Sequence, residues 1–191
     1  MSSKLAPGFL VAAPSLLDPN FRRSVVLLVD HRPEGSLGFV INRPADSRLR
    51  AMLEPLGLEL EDSQVVDCPV LVGGPVNPST GWVVFEHNQM PAQVDAEEVV
   101  EVSGKVSVTA SRDLLEKLVQ RQGEDRMLLV LGYAGWGPGQ LDAEIAQGAW
   151  IPIDFDPGIV FDTPYEQRWT AALRSLGIDP ARLALQAPTE N

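Results

Sequence analysis

SVVLLVDHRPEGSLGFVI, residues 24–41, decides the architecture. Two short apolar runs, 24–30 and 36–41, flank the turn-forming Arg32-Pro33-Glu34-Gly35. Runs of valine and leucine this short read as strands, and a turn this tight returns the second beside the first. The pair is predicted to form an antiparallel hairpin. That sets the chain apart from the regular strand–helix alternation of a doubly wound nucleotide fold.

The same grammar extends outward. GFLVAA (8–13) is a strand closed by Pro14, and Asn42-Arg43-Pro44 ends the second hairpin arm. Asp46 or Ser47 is placed to cap a helix over 48–56, with Leu49, Met52, Leu53 and Leu56 on its buried side. PVLVGG (69–74) reads as a buried strand ended by Gly73-Gly74-Pro75, and GWVVFEH (81–87) as the next. EVVEV and KVSVT suggest a hairpin around Ser103-Gly104, and residues 111–123 carry a helical stripe of Leu114, Leu115, Leu118 and Val119. RMLLVLGYA (126–134) is unbroken in its hydrophobicity, the pattern of a central strand buried on both faces. A helix follows within 138–148, opened by Pro138, and AWIPID and IVF are read as short strands. Thr163-Pro164-Tyr165-Glu166 has the order of a helix start, with Trp169, Leu173 and Leu176 on one face behind it. Hairpins mixed with helices imply an α+β fold with a mixed or mainly antiparallel sheet. One domain over 1–191 is expected from the length.

Composition narrows the function. The formal charge is −11, from 26 acidic against 15 basic residues. That field opposes nucleic acid, and Arg22-Arg23 and Arg48/Arg50 are the only tight basic pairs that would counter it. No DNA binding is expected. A single cysteine, Cys68, excludes an intrachain disulfide, and its place before Pro69 and an apolar strand suggests a buried, structural thiol. No apolar stretch approaches the ~20 residues that span a bilayer, so no membrane partner and a cytoplasmic location are expected.

The chemistry-bearing candidates are few. Gly135-Trp136-Gly137-Pro138-Gly139 breaks the central apolar run, but it lacks the lysine and hydroxyl residue of a phosphate loop and has no serine between its glycines. It reads first as a corner in which Trp136 covers the core, with Gln140 and Glu144 one turn apart on the border of the next helix. A carboxylate in that position is expected to pair with an arginine or a backbone amide. His31 and His87 each close a strand beside Asp30 and Glu86, which is too small a ligand set to argue for a metal. No cofactor is implied. The strand ends at Asn42-Arg43, Gly73-Gly74 and Tyr133–Gly137 are expected to converge beside Gln140 and Glu144. There Arg43 and free backbone amides would favour a polar or anionic ligand.

Taken together these stretches resemble the YqgE/AlgH family of bacterial proteins. The likeness is carried by GFLVA with Pro14, DPNFRRSVVLL (18–28), GSLGFVINRP (35–44), VGGPV (72–76), LGYAGWGPGQLDAEI (131–145), Trp150, and RW with LGI in 168–178. Asp142 stands where the family usually has glutamate, and the glycine-containing ending common in the family is missing from ALQAPTEN. The resemblance implies a cytosolic α+β protein with a partly barrel-like sheet flanked by helices. It supplies no reaction. Some members are described as regulators of transcription for exopolysaccharide production, a genetic association that names no chemistry. The expected function is a non-enzymatic regulatory protein acting through protein contacts or a small polar ligand. An enzyme using Asn42, Gln140 and Glu144, and a DNA-binding regulator, follow in that order.

Overall fold

The structure, a computed structural model, describes residues 4–46, 70–87, 99–113 and 126–184. The expected helices over 48–56 and 111–123 lie wholly or mostly outside these residues, as does Cys68. The hairpin forms as read: β2 (Val25–Arg32) and β3 (Gly35–Val40) pair antiparallel across Pro33-Glu34. β1 (Gly8–Ala12) flanks β2, and β4 (Val70–Val72), β5 (Val76–Glu86), β6 (Val99–Ser103), β7 (Val106–Thr109), β8 (Met127–Trp136) and β9 (Trp150–Asp154) complete the sheet. Its order is β6-β7-β5-β8-β3-β2-β1-β9, with β4 beside β8. Every pairing on that path is antiparallel, and β4–β8 alone is parallel. The fold is α+β, with a large, curled, half-barrel sheet.

Period-two alternation builds two cores from one set of strands. Phe9, Val11, Val25, Leu27, Phe39 and Ile41 point one way, into a cluster with Val84, Val108 and Val130. Leu10, Ala12, Val26, Leu28 and Val40 point the other way, toward Trp136, Leu141 and Trp150. Both faces are covered, which is why β1 is buried at all five positions. The helices among the described residues are α1 (Gln140–Ala146), α2 (Pro157–Phe161), α3 (Tyr165–Ser175) and α4 (Pro180–Ala184). α2 and α3 cover the first face with Ile159, Val160, Trp169, Ala172 and Leu173, and α1 covers the second with Leu141.

Several local expectations are corrected. IVF is not a strand: Asp156 accepts a hydrogen bond from the Gly158 N–H, and Pro157 opens a helix behind that cap. α1 begins at Gln140 behind a left-handed Gly139, not at Pro138, and β8 runs on to Trp136. Thr163 does not cap α3: its hydroxyl donates to the Gly158 carbonyl, and the helix starts at Tyr165 behind Pro164. Leu176 leaves the buried face of α3, where Arg168 and Ala172 sit with Trp169 and Leu173. Leu173 follows Trp169 at the i, i+4 spacing of one helix face, whereas Leu176 falls past the last helical residue.

Candidate functional site

The β2 and β3 ends are tied by side chains of the Asn42-Arg43 pair. Asn42 Oδ1 accepts from the Val25 N–H, and its Nδ2 donates to the Arg23 carbonyl, both at 2.8 Å. Between them Arg23 is held left-handed, at φ 55°, a conformation that costs a residue with a Cβ about 1–2 kcal/mol. The guanidinium of Arg43 reaches back over the 18–24 segment. Its Nη1 donates to the carbonyls of Pro19 (3.1 Å) and Asn20, and its Nη2 to that of Arg22 (3.3 Å).

These residues form one wall of a cleft of about 530 Å³, within the size range of small-ligand sites. Arg22, Arg23, Asn42 and Arg43 stand on one side, and Tyr165, Glu166, Trp169 and Thr170 of α3 on the other. The Arg23 guanidinium lies 5.5 Å from the Trp169 ring centre, a cation–π contact that orients it. Trp169 is fixed in turn, because its indole N–H donates to the Ala12 carbonyl at 2.9 Å. Arg168, next to Trp169 and 4% exposed, donates to the carbonyls of Ile41 and Thr163. Burial pushes its guanidinium down to about 10, partly opposed by the charge of Glu166. Among the described residues no carboxylate lies within 4.0 Å of Arg22, Arg23, Arg43 or Arg168. Among the described residues Glu166 is the one acidic group lining the cleft.

Of the other expected site residues, Gly73 and Gly74 lie beside the Asn42-Arg43 strand end, where the Val72 N–H donates to the Arg43 carbonyl at 2.8 Å, and against Tyr133 of β8. Gly73 donates its N–H to Leu131 and accepts from Val40, and a Cβ on it would lie 2.5 Å from the Gly132 carbonyl oxygen. Gly74 is tighter still: it sits at φ 153°, and any Cβ there would lie 2.2 Å from the Tyr133 carbonyl oxygen. The Gly-Gly pair thus lets the chain pass flush against β8. Trp136, Gln140 and Glu144 meet one another. Glu144 Oε2 accepts the indole N–H of Trp136 at 3.0 Å and of Trp150 at 2.8 Å, and its Oε1 accepts from Gln140 Nε2 at 2.9 Å. Gln140 Oε1 accepts the Gly137 N–H at 3.0 Å. Glu144 therefore pairs with indoles, where an arginine or a backbone amide was expected.

No hydrogen bond among the described residues joins this aromatic corner to Asn42 and Arg43. The 18–24 segment spans them: Phe21 stacks on Trp136 at 6.2 Å and meets Trp150 edge-on at 5.5 Å. Of the histidines, His31 is hydrogen-bonded to Ser36 at 2.7 Å and lies 3.5 Å from Asp142 of α1, and His87 is hydrogen-bonded to Ser107 at 2.8 Å. Among the described residues no three groups of metal-ligand type come together. Sequence reasoning set Arg22-Arg23 aside as a weak basic pair and missed Tyr165 and Trp169 as their facing wall. The RW pair was visible as a stretch, but only the fold brings α3 against the β2 end.

An α+β half-barrel with a cationic cleft at the ends of its first hairpin is the class these features define. A family model described as AlgH-like matches residues 9–181, and the chain belongs to that family. A UPF0301 protein of Anaeromyxobacter sp. strain Fw109-5 is 48% identical over 93% of this chain and 91% of its own length. One from Methylococcus capsulatus is 41% identical over 96% and 95%. The solution structure of the AlgH protein from Pseudomonas aeruginosa superposes with a TM-score of 0.76, at 35% identity, over 100% of this chain and 98% of that one. A crystal structure from Corynebacterium diphtheriae shares the fold, with a TM-score of 0.69 at 24% identity, over 92% and 89%. Among the described residues no helix is long and apolar enough to cross a membrane.

Proposed function

We propose that this chain is a non-enzymatic binding protein of regulatory type, and that the cleft beside Asn42 and Arg43 takes a small, multiply charged anion such as a phosphate ester or a polycarboxylate. One observation carries the reading. In a chain with 26 acidic and 15 basic residues, three arginines line one opening with no carboxylate partner among the described residues. A guanidinium fork matches carboxylate and phosphate oxygens two at a time, and such charge-assisted bonds are about twice as strong as neutral ones. Asn42 sets the direction of the Arg23 backbone, and the Trp169 ring sets that of its side chain. Trp136, Gln140 and Glu144 form a separate corner that reaches the cleft through Phe21 of the 18–24 segment. An enzyme built on Asn42, Gln140 and Glu144 has less support, because Gln140 and Glu144 bond to Gly137, Trp136 and Trp150, and no hydrogen bond among the described residues joins them to Asn42.

Calorimetric titration with inorganic pyrophosphate and with citrate, at near-physiological ionic strength, tests the reading. At least one should bind saturably, and Arg22→Glu with Arg23→Glu should weaken it by tenfold or more. No heat at millimolar anion, or equal binding by the double variant, would overturn it.

A further inference from the structure

We infer that an anion in the arginine cleft is sensed on the opposite face of the sheet, through the 18–24 segment; this rests on the reading just given. The segment is gripped from both sides. Residues 19, 20, 22 and 23 are held by their carbonyls to Asn42 and Arg43, while residue 21 between them packs its ring on Trp136 and Trp150. Asp18 makes the segment a unit: its Oδ1 accepts from the Asn20 N–H, and its carbonyl from the N–H groups of Phe21 and Arg22. Displacing the carbonyls therefore displaces Phe21.

The cleft supplies the displacement. Among the described residues Arg43 is satisfied by neutral carbonyl oxygens alone. An anion seated between Arg22, Arg23 and Arg43 offers that guanidinium a charged acceptor, the stronger partner. As Arg43 turns to it, the segment loses three of its ties and Phe21 shifts on the two indoles. Both indole N–H groups are anchored to one carboxylate oxygen of Glu144, so the ring movement reaches α1. Trp169 and Trp136 belong to the two separate cores on either face of β1–β3, and the 18–24 segment reaches both. Linkage makes the coupling reciprocal: loosening Phe21 lowers what it costs Arg43 to leave, and tightens anion binding.

The test follows the four indole N–H resonances of the isotopically labelled full chain, assigned by single tryptophan-to-phenylalanine variants, during titration with pyrophosphate. The Trp169 signal in the cleft and the Trp136 and Trp150 signals should move together with one midpoint, and Trp82 should stay. Phe21→Leu should abolish the Trp136 and Trp150 shifts and raise affinity about fivefold, the low end of common couplings. Cleft signals that titrate while Trp136 and Trp150 stand still would overturn the coupling and leave the binding site intact. So would Phe21→Leu with unchanged affinity and unchanged shifts. If the cleft signals do not move either, the anion-site reading falls and the coupling falls with it.

Discussion

Replacing Glu144 with alanine separates a packing corner from a ligand site at the GWGPGQ stretch. The carboxylate is half-buried and accepts from three donors, two of them the indoles of Trp136 and Trp150, which are 6% and 3% exposed. Each buried donor left without a partner costs about 1–3 kcal/mol. Gln140 is exposed and recovers water, so it adds little. Two stranded indoles, one edge of the site open to solvent, give an expected loss of about 2–4 kcal/mol. For a chain of this length that is a fall in Tm of roughly 4–16 °C. Glu144→Gln keeps one acceptor oxygen and should lose about half as much. Denaturant unfolding of both variants checks the order, and Trp136→Phe in each background measures the coupling, expected near ~1 kcal/mol. A Glu144→Ala loss below about 0.5 kcal/mol, the range of ordinary surface changes, would refute the reasoning.

Gly74→Ala should prevent normal folding, since its Cβ would sit 2.2 Å from the Tyr133 carbonyl oxygen, whereas Gly139→Ala, with open space around it, should cost only the ~1–2 kcal/mol of a left-handed residue. Soluble yield and thermal melts compare the two. Arg168→Met removes the donors to the Ile41 and Thr163 carbonyls and should lower stability by about 2–3 kcal/mol in denaturant unfolding. Because burial lowers the folded Arg168 to about 10, below its ordinary guanidinium range, its charging penalty is complete below the folded value and fades only as pH rises from there. Wild type and Arg168→Met should therefore keep a constant stability difference between about pH 6 and 9, and a slope in that difference would contradict the assignment. A mobility-shift assay with duplex DNA at near-physiological salt should show no sub-micromolar complex, given the net charge of −11.

What was legible in the sequence was whatever local pattern dictates. The 24–41 hairpin, the β6–β7 hairpin and the central strand β8 follow from short apolar runs and turn residues, and each forms there, with β8 extending two residues past the run to Trp136. Local pattern failed where a competing cap or a distant partner decides. IVF looks like a strand until Asp156 is seen capping it, and Thr163 looks like a cap until its hydroxyl finds Gly158. The site divides the same way. Asn42 and Arg43 were visible as a polar break after an apolar run. Their partners at Arg22-Arg23 lie about twenty positions away, and the Trp169 wall well over one hundred, joined only by the packing of α3 on the sheet. Glu144 was visible as a carboxylate on a helix border, but nothing local says that two indoles, at 136 and 150, will close on one of its oxygens.

The most direct test of the central claim is a backbone and side-chain NMR titration of the full chain with pyrophosphate, in wild type and in Arg22→Glu with Arg23→Glu. The account predicts saturable shifts that include the Arg23 amide, the Asn42 side-chain amide and the Trp169 indole, lost in the double variant. Shifts that centre on other residues, or that persist unchanged when both arginines are reversed in charge, would contradict it.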